Sequence, residues 1–176
     1  MKTLNTYIEE RLNITNNVIS ERLILSKNQH TIFPTSRKEL EDAIAKEIDK
    51  NGNECSLNHI DVSKIEDLSY LFAGYKTEYG HNFSDFNGDI SKWDTSGAKD
   101  LCGMFSKSVF NGDISKWDVG SAENVYDMFY KSKFNGNIDD WEFPENTENI
   151  LKMFGKSLLN KKNNNLPVWY KKYENA

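Results

Sequence analysis

Two columns of charged side chains are the first feature of this sequence that could carry a chemical function. Each column takes one residue from three similar segments, and the columns are Lys92, Lys116 and Asp140, and Asp94, Asp118 and Glu142. If the segments are neighbouring extended strands about 4.8 Å apart, the second column holds three like charges close together. Such a column lowers stability unless lysines, solvent or a partner compensates it. The pattern therefore indicates either an exposed lattice of ion pairs or a face that recognises a partner.

Catalytic and metal-binding residues form weaker patterns. The three histidines are scattered, and the sequence has no nucleophile–base motif and no glycine-rich phosphate loop. Cys102 would need an adjacent histidine to act as a nucleophile, and it lies among apolar residues typical of a core. Asp89 and Asp113 could align to hold calcium, but Asn137 interrupts that column. We expect a protein that is not an enzyme and that uses no metal or cofactor.

A third column, formed by Lys107, Lys131 and Lys156, also recurs along the chain. Regularly spaced lysines could hold phosphate groups, or they could simply be solvated. The charge of the surrounding chain favours solvation, because residues 55–160 carry ten Lys and Arg against seventeen Asp and Glu. An acidic body repels nucleic acid and attracts a basic protein surface. We therefore expect a protein partner, for which a basic or nucleoprotein surface is one candidate, and no direct contact with nucleic acid.

Composition is typical of a folded, water-soluble domain. The chain has 176 residues, of which 12% are aromatic and 28% charged, and its mean hydropathy is -0.71. No apolar run approaches the roughly 18 residues that a membrane-spanning helix needs. The first residues also lack the apolar run of a secretion signal. We expect a cytoplasmic protein that does not bind membranes.

An internal repeat explains the spacing of the charged columns. Residues 86–94 read FNGDISKWD, residues 110–118 are identical, and residues 134–142 read FNGNIDDWE, so the period from Phe86 to Phe110 is 24 residues. The second half of the unit also recurs, as Leu101, Met104 and Phe105, then Val125, Met128 and Phe129, then Ile150, Met153 and Phe154. One such unit cannot bury its own apolar side chains, whereas stacked units can bury those of their neighbours.

Each part of the unit predicts a local structure. Asn-Gly tolerates positive φ and indicates a sharp turn, and the alternation around Trp93 indicates a short strand with the tryptophan inward. Ala98, Leu101, Met104 and Phe105 have the spacing of a short helix. The sequence therefore predicts an α/β fold, a solenoid of about four 24-residue units with a parallel sheet.

The repeat resembles the BspA-type leucine-rich repeats, in the variant with Phe-Asn-x-x-Ile-Ser-x-Trp-Asp-Val-Ser followed by Val-x-x-Met-x-x-Met-Phe. The resemblance covers roughly residues 55–160. It implies a right-handed leucine-rich-repeat solenoid that binds proteins. Many members of that family are displayed on the cell surface, whereas this sequence begins without a secretion signal.

We predict three regions: an N-terminal helical cap at 1–54, the leucine-rich-repeat solenoid at 55–160 and a C-terminal cap at 161–176. Residues 36–39 form a capping box, and the apolar face that follows predicts a helix ending at Asn51-Gly52. Residues 4–12 suggest an earlier helix and residues 23–25 a strand. The first region could instead be a partner-binding head. In the last region, Trp169 could cap the final unit or stack on a base.

The function that the sequence favours is a non-catalytic protein–protein interaction module. We expect it to bind through the strand face, with Lys92, Asp94, Lys116, Asp118, Asp140 and Glu142, and through a loop over residues 74–85, with Tyr75, Tyr79 and His81. An alternative is an acidic inhibitor, similar to phage-encoded anti-CRISPR proteins, that binds the basic channel of a nucleic-acid-handling complex. A third hypothesis is an enzyme in which a histidine lies beside Cys102.

Overall fold

The structure is a computed structural model that describes residues 30–157, 166–170 and 173. The chain divides into two compact units, Met1–Thr31 and Ile32–Ala176, and the description below concerns the second. The helix predicted at 4–12 and the strand predicted at 23–25 lie outside the described residues. The three predicted regions stay predictions.

Helix α1 (Arg37–Asn51) forms where the sequence predicts it. The Ser36 side chain accepts the Glu39 N–H, and Glu39 accepts the backbone N–H of Thr35 at 2.7 Å. These bonds satisfy two of the donors left free near the start of the helix. Gly52, with φ 81°, ends the helix and donates its N–H to Ile48. Leu40, Ala43 and Ile44 are buried in the common core.

The predicted α/β solenoid with a parallel sheet is wrong. Within residues 30–157, the only helices are α1 and a short 3-10 helix, Ile150–Lys152, and β-pairing is limited to isolated bridges; Tyr170 and Tyr173 are also helical. These bridges are parallel and join equivalent positions of successive units, such as Asp67 with Asp100, Asp100 with Asn124, and Asn124 with Glu148. Isolated paired residues do not make a strand, so the units consist of consecutive turns.

Side-chain hydrogen bonds explain why the strands do not form. In each unit, aspartate or asparagine side chains accept the backbone N–H two residues ahead, as Asp89 does from Ser91 and Asp94 from Ser96. This arrangement bends the chain every few residues and competes with a strand. The predicted helix at 98–105 is also wrong, because these residues form turns and Gly103 has a φ of 59°, which an α-helix excludes.

Successive units are nevertheless joined by regular backbone hydrogen bonds. Leu101, Gly103, Phe105 and Lys107 each donate to a carbonyl of the following unit, at distances of 2.7–2.9 Å. The preceding unit repeats the pattern, since Tyr70 donates to Cys102 and Phe72 to Met104. The turns therefore lie in register, one unit upon the next.

Aromatic side chains fill the interior in parallel columns. Phe105 stacks on Phe72 and on Phe129, in both cases at 5.7 Å. Trp93 and Trp117 are buried and stack at 6.3 Å, which confirms the inward position predicted for the tryptophans. The indole N–H of Trp117 donates to the Ile90 carbonyl at 3.0 Å. The other tryptophans donate in the same way to an earlier unit: Trp93 to Leu57, Trp141 to Ile114 and Trp169 to Ile138.

The Asn-Gly pairs serve a different purpose from the one predicted. Among the described glycines, positive φ occurs at Gly52, Gly80 and Gly103, and therefore not at the Asn-Gly pairs of the repeat, whose glycines are Gly88, Gly112 and Gly136. A Cβ on Gly88 would lie 1.9 Å from the Cys55 carbonyl oxygen. A glycine is therefore required at position 88, because two segments of the backbone approach each other closely there. The asparagines form a ladder, in which the Asn87 side chain accepts the Asn111 N–H and the Asn111 side chain accepts the Asn135 N–H, each at 2.7 Å.

Candidate functional site

The charged residues predicted to bind a partner lie on the surface, on what we call the column face (Lys92, Asp94, Lys116, Asp118, Asp140 and Glu142). Asp118, Asp140 and Glu142 border one shallow depression of about 470 Å³. Asp94 and Asp118 also hold turns, since they accept the N–H groups of Ser96 and Gly120. Lys116 pairs with Asp140 at 3.2 Å with both side chains more than three-quarters exposed, an ion pair that contributes little to stability.

The three loop residues do not form one cluster. His81 faces α1, with its Nε2 atom 3.5 Å from Asp42 Oδ1, and its ring stacks on Phe83. Tyr75 packs against Tyr70, with ring centroids 6.3 Å apart. Tyr79 is exposed. Within the loop, Tyr75 therefore contacts the repeat units, whereas His81 contacts α1.

The sequence candidates for catalysis and calcium binding have structural contacts. The Cys102 thiol donates to the Tyr70 hydroxyl at 3.2 Å, and burial raises its pKa, whereas a nucleophilic thiol needs a lowered pKa. Asp89 and Asp113 accept the N–H groups of Ser91 and Ser115. Across residues 30–157, 166–170 and 173, no group of three His, Cys, Asp or Glu side chains could hold a metal ion.

A second surface brings together exposed tyrosines that the sequence analysis did not connect. We call it the turn face; it consists of Tyr70, Tyr75, Tyr126, Tyr130, Leu151, Lys107, Lys131 and Lys152, on and beside the hydrogen-bonded turns. Tyr70, Tyr75 and Tyr126 are 40%, 42% and 38% exposed. Tyrosine is enriched in protein interfaces because a rigid, amphipathic ring buries much area at low entropic cost.

Lysines lie over the tyrosine rings along the turn face. The Nζ atom of Lys107 is 4.2 Å from the centroid of Tyr75, and that of Lys152 is 5.5 Å from Tyr126. Lys131 lies 5.2 Å from Tyr130 in the same way. These distances are within the range of cation–π attraction. The predicted lysine column is therefore partly paired with aromatic rings.

Gly103 allows one tyrosine of the turn face to lie flat on the next unit. A Cβ on Gly103 would be 2.2 Å from the Tyr70 ring. The ring thus covers the backbone of the following turn, and the hydrogen bond from Cys102 to its hydroxyl fixes its orientation. A similar contact recurs two units later, where Tyr130 lies against Gly155.

A cleft of about 420 Å³ lies at one end of the turn face. Helix α1 contributes Arg37 and Glu41 to its lining, the loop contributes Tyr75 and Glu78, and the turns contribute Tyr70, Ser106 and Asp127. Its volume falls within the range of small-ligand pockets, roughly 300–1,000 Å³. The cleft is the place where three separate parts of the chain meet.

Arg37 and Glu41 form a buried network beside the cleft. Glu41 is fully buried, pairs with Arg37 at 2.7 Å and accepts the Thr77 hydroxyl. Arg37 also donates to the carbonyls of Asp67 and Ser69, at 3.0 and 2.9 Å. The network therefore ties α1 to the first unit and to the loop. Glu41 was not predicted as buried, because a glutamate beside a helix's apolar face is usually solvated.

Asp127 is the half-buried acid of the cleft. No described residue donates a hydrogen bond to its carboxylate, and burial raises its pKa despite the attraction of Lys152. Asp127 also has a φ of 53°, a conformation that asparagine and aspartate tolerate better than most residues. The position therefore costs stability when the carboxyl is charged.

We expect Asp127→Asn to stabilise the protein near pH 7. A carboxyl whose folded pKa lies above its unfolded value of 3.8 destabilises the fold progressively as pH rises between those two values. The advantage of the variant should shrink as pH falls from about 7 to about 3.5. Melting temperatures measured across that range test the prediction.

Asp113→Asn is the matched control for this measurement. The Ser115 N–H lowers the pKa of Asp113, so its charge stabilises the fold above the unfolded pKa and this contribution is lost as pH falls. The control should therefore be less stable than the wild type near pH 7, the opposite sign. A pH-independent gain for Asp127→Asn would show a backbone preference instead of relief of a buried charge.

Comparison with known proteins places the repeats in a family. A family model described as "Mycoplasma protein of unknown function, DUF285" matches residues 39–169. The chain belongs to the DUF285 family. The DUF285 match includes every residue of the turn face and of the column face, as well as most of α1. Neither the curated proteins nor the solved structures gave a significant match.

The description of the DUF285 family names no repeat type, so the match establishes family membership alone. The 24-residue period follows from the sequence itself. Within the part of the chain that the structure describes, no helix combines the length and the apolar character needed to cross a bilayer. The turn face could have been found from the sequence. Tyr126 and Leu151 occupy equivalent places directly after the buried Val125 and Ile150, where a recurring exposed apolar residue indicates a contact surface.

Proposed function

We propose that this DUF285 protein is a non-catalytic protein-binding module that engages its partner through the turn face. The observation that supports the proposal is the row of exposed tyrosines across stacked units, two of which, Tyr75 and Tyr126, lie close to a lysine. Aromatic side chains near the centre of an interface commonly account for most of the binding free energy. On the column face, by contrast, Asp94 and Asp118 accept backbone N–H groups within turns, and Lys116 and Asp140 form a solvent-exposed ion pair.

The resemblance of the repeat to BspA-type repeats supports the same function, because it implies a protein-binding role. Stacked units with a common core leave their outer surfaces free for recognition. In this chain the units are built from turns, so the recognition surface that we propose is formed by turns and not by strands.

The charge of the chain favours a partner with a basic surface. Residues 55–160 have an excess of seven acidic residues, seventeen against ten. This excess would speed association with a basic protein and would oppose binding to nucleic acid. An inhibitor of a nucleic-acid-handling complex is a special case of this proposal, and loss of the captured protein after nuclease treatment would contradict a direct protein contact.

The proposal is tested by comparing two double variants in capture from a lysate of the source organism. Tyr75→Ser with Tyr126→Ser removes two rings of the turn face, and we expect affinity for the captured protein to fall by at least about thirtyfold, the effect of about 2 kcal/mol at one hot spot. Lys92→Ser with Lys116→Ser is the matched control on the column face and should leave capture unchanged.

Both double variants alter exposed side chains, so their melting temperatures should stay close to that of the wild type. Normal capture by the tyrosine variant together with loss of capture by the lysine variant would transfer the binding role to the column face. Equal capture by all three proteins would contradict both surfaces.

A further inference from the structure

The cleft at the end of the turn face has an excess of negative charge. Four carboxylates line it, those of Glu41, Asp67, Glu78 and Asp127, against two cationic side chains, Arg37 and Lys76, which leaves two negative charges in excess. Arg37 pairs with the buried Glu41 and, at 3.9 Å, with Asp67, and its other bonds go to backbone carbonyls, so Glu78 and Asp127 form no ion pair with it. The carboxylates nearer the opening are therefore available to a cation from outside.

Two tyrosine rings form a corner of the same cleft. The rings of Tyr70 and Tyr75 lie 6.3 Å apart and are inclined at 76°. A cation held over the face of one ring could thus donate to the hydroxyl oxygen of the other. Tyr75 already attracts a cation from within the chain, since Lys107 Nζ is 4.2 Å from its centroid. The aromatic wall is therefore suited to a positively charged group.

Asp127 supplies the acceptor that such a group would need. Its carboxylate lines the cleft together with Tyr70 and Ser106 and receives no hydrogen bond from any described residue. A partly desolvated carboxylate without a donor is unfavourable, and a charge-assisted hydrogen bond to a bound cation would remove that cost. The rings of Tyr70 and Tyr75 and the carboxylate of Asp127 therefore all favour a positively charged ligand.

We propose that the cleft binds the guanidinium group of an arginine from the protein partner, stacked on a tyrosine ring and paired with Asp127. Arginine fits better than lysine because its planar group stacks on aromatic rings, donates in a fork to a carboxylate and is less strongly hydrated. This inference rests on the proposed function and assigns the partner a basic anchor residue. It also uses the acidic excess of the cleft, which would repel an anionic ligand.

A peptide titration of the full-length protein tests the arginine site directly. The probe is acetyl-Gly-Arg-Gly-amide, and its control contains citrulline, which has nearly the same shape without the charge. In amide NMR spectra near 0.15 M salt, we expect the arginine peptide to bind about tenfold more tightly than the control. The largest shifts should occur at Tyr70, Tyr75 and Asp127. Asp127→Asn should remove most of this preference, whereas Asp118→Asn on the column face should retain it.

Three results would overturn the inference: equal binding of the two peptides, shifts confined to the column face, or no shift with the arginine peptide at about 10 mM, where even a weak single-residue ligand binds. The capture experiment separates the two proposals. If Tyr75→Ser with Tyr126→Ser abolishes capture while the peptides bind equally, the interface stands and the arginine site does not. If arginine binds selectively but the tyrosine variant captures normally, the cleft is a cation site and the proposed binding role of the turn face fails.

Discussion

Trp117→Ala should lower the free energy of unfolding by about 3–5 kcal/mol, as other truncations of large core side chains do. Trp117 is buried, stacks on Trp93 and contacts the ring of Phe105 at 6.0 Å between centroids. It also satisfies the carbonyl of Ile90, which belongs to the preceding unit. Its removal therefore leaves a cavity at the junction between two units and takes away one of the two hydrogen bonds of the Ile90 carbonyl, which still accepts the Trp93 N–H. Urea denaturation followed by circular dichroism measures the loss.

Trp117→Phe is the matched control for this prediction. Phenylalanine preserves part of the stack but cannot donate to Ile90, so we expect a smaller loss, made up of one hydrogen bond at about 1 kcal/mol and of the cost of the smaller ring. The order wild type, phenylalanine, alanine should hold for the midpoint and for the free energy. A near-silent alanine variant would show that the tryptophan columns do not hold the units together.

Arg37→Met should lower the free energy of unfolding by about 3 kcal/mol or more. The substitution leaves the Glu41 carboxylate fully buried, with the Thr77 hydroxyl as its remaining side-chain donor. It also releases the Asp67 and Ser69 carbonyls, which Arg37 joins to α1. A buried charge without its partner is among the most destabilising changes that one substitution can make.

The double variant Arg37→Met with Glu41→Leu distinguishes a buried charge from lost packing. Replacing both partners by apolar groups removes the uncompensated charge, so the double variant should be more stable than Arg37→Met alone. Thermal and urea denaturation of the four proteins in the cycle give the coupling free energy. Additive losses, or an Arg37→Met protein as stable as the wild type, would contradict the network that we describe beside the cleft.

Local rules predicted part of the fold correctly. The capping residues Ser36 and Glu39 and the terminal Gly52 define α1 because each satisfies or ends a known set of helix hydrogen bonds. The 24-residue period predicted which residues share the interior, since Trp93 and Trp117 cannot be buried within one unit. These features depend on residue type and spacing alone.

The absence of a sheet from the described repeat units could not be predicted by the same reasoning. Apolar residues three apart, as at Leu101 and Met104, fit a helix and a series of turns equally well. The aspartates at 89, 94 and 100 were the available signal, because turn-forming residues at such short intervals leave no room for a strand. The positive φ of Lys107 and Lys131 has no signal in residue type, since lysine does not favour that conformation.

The candidate site was predicted only in part. Tyr75 belongs to the surface that we propose, and the sequence predicted it as a partner contact in the loop over residues 74–85. Its neighbours Tyr70 and Asp127 were missed, because they come from units that become adjacent to the loop only after the turns stack. The cleft also needs α1, and no pattern in the sequence brings Arg37 to that position. Sites built from several distant segments are the hardest to infer from one chain.

Site-specific photo-crosslinking tests the central claim, that the turn face contacts a protein partner. A benzophenone amino acid is placed at position 126 on the turn face and, in a separate protein, at position 116 on the column face, and each protein is irradiated in a lysate of the source organism. Both positions are exposed, so accessibility does not bias the comparison. We predict a discrete crosslinked protein from position 126 that unlabelled wild-type chain competes away, and none from position 116. A competed product from position 116 alone would contradict the account.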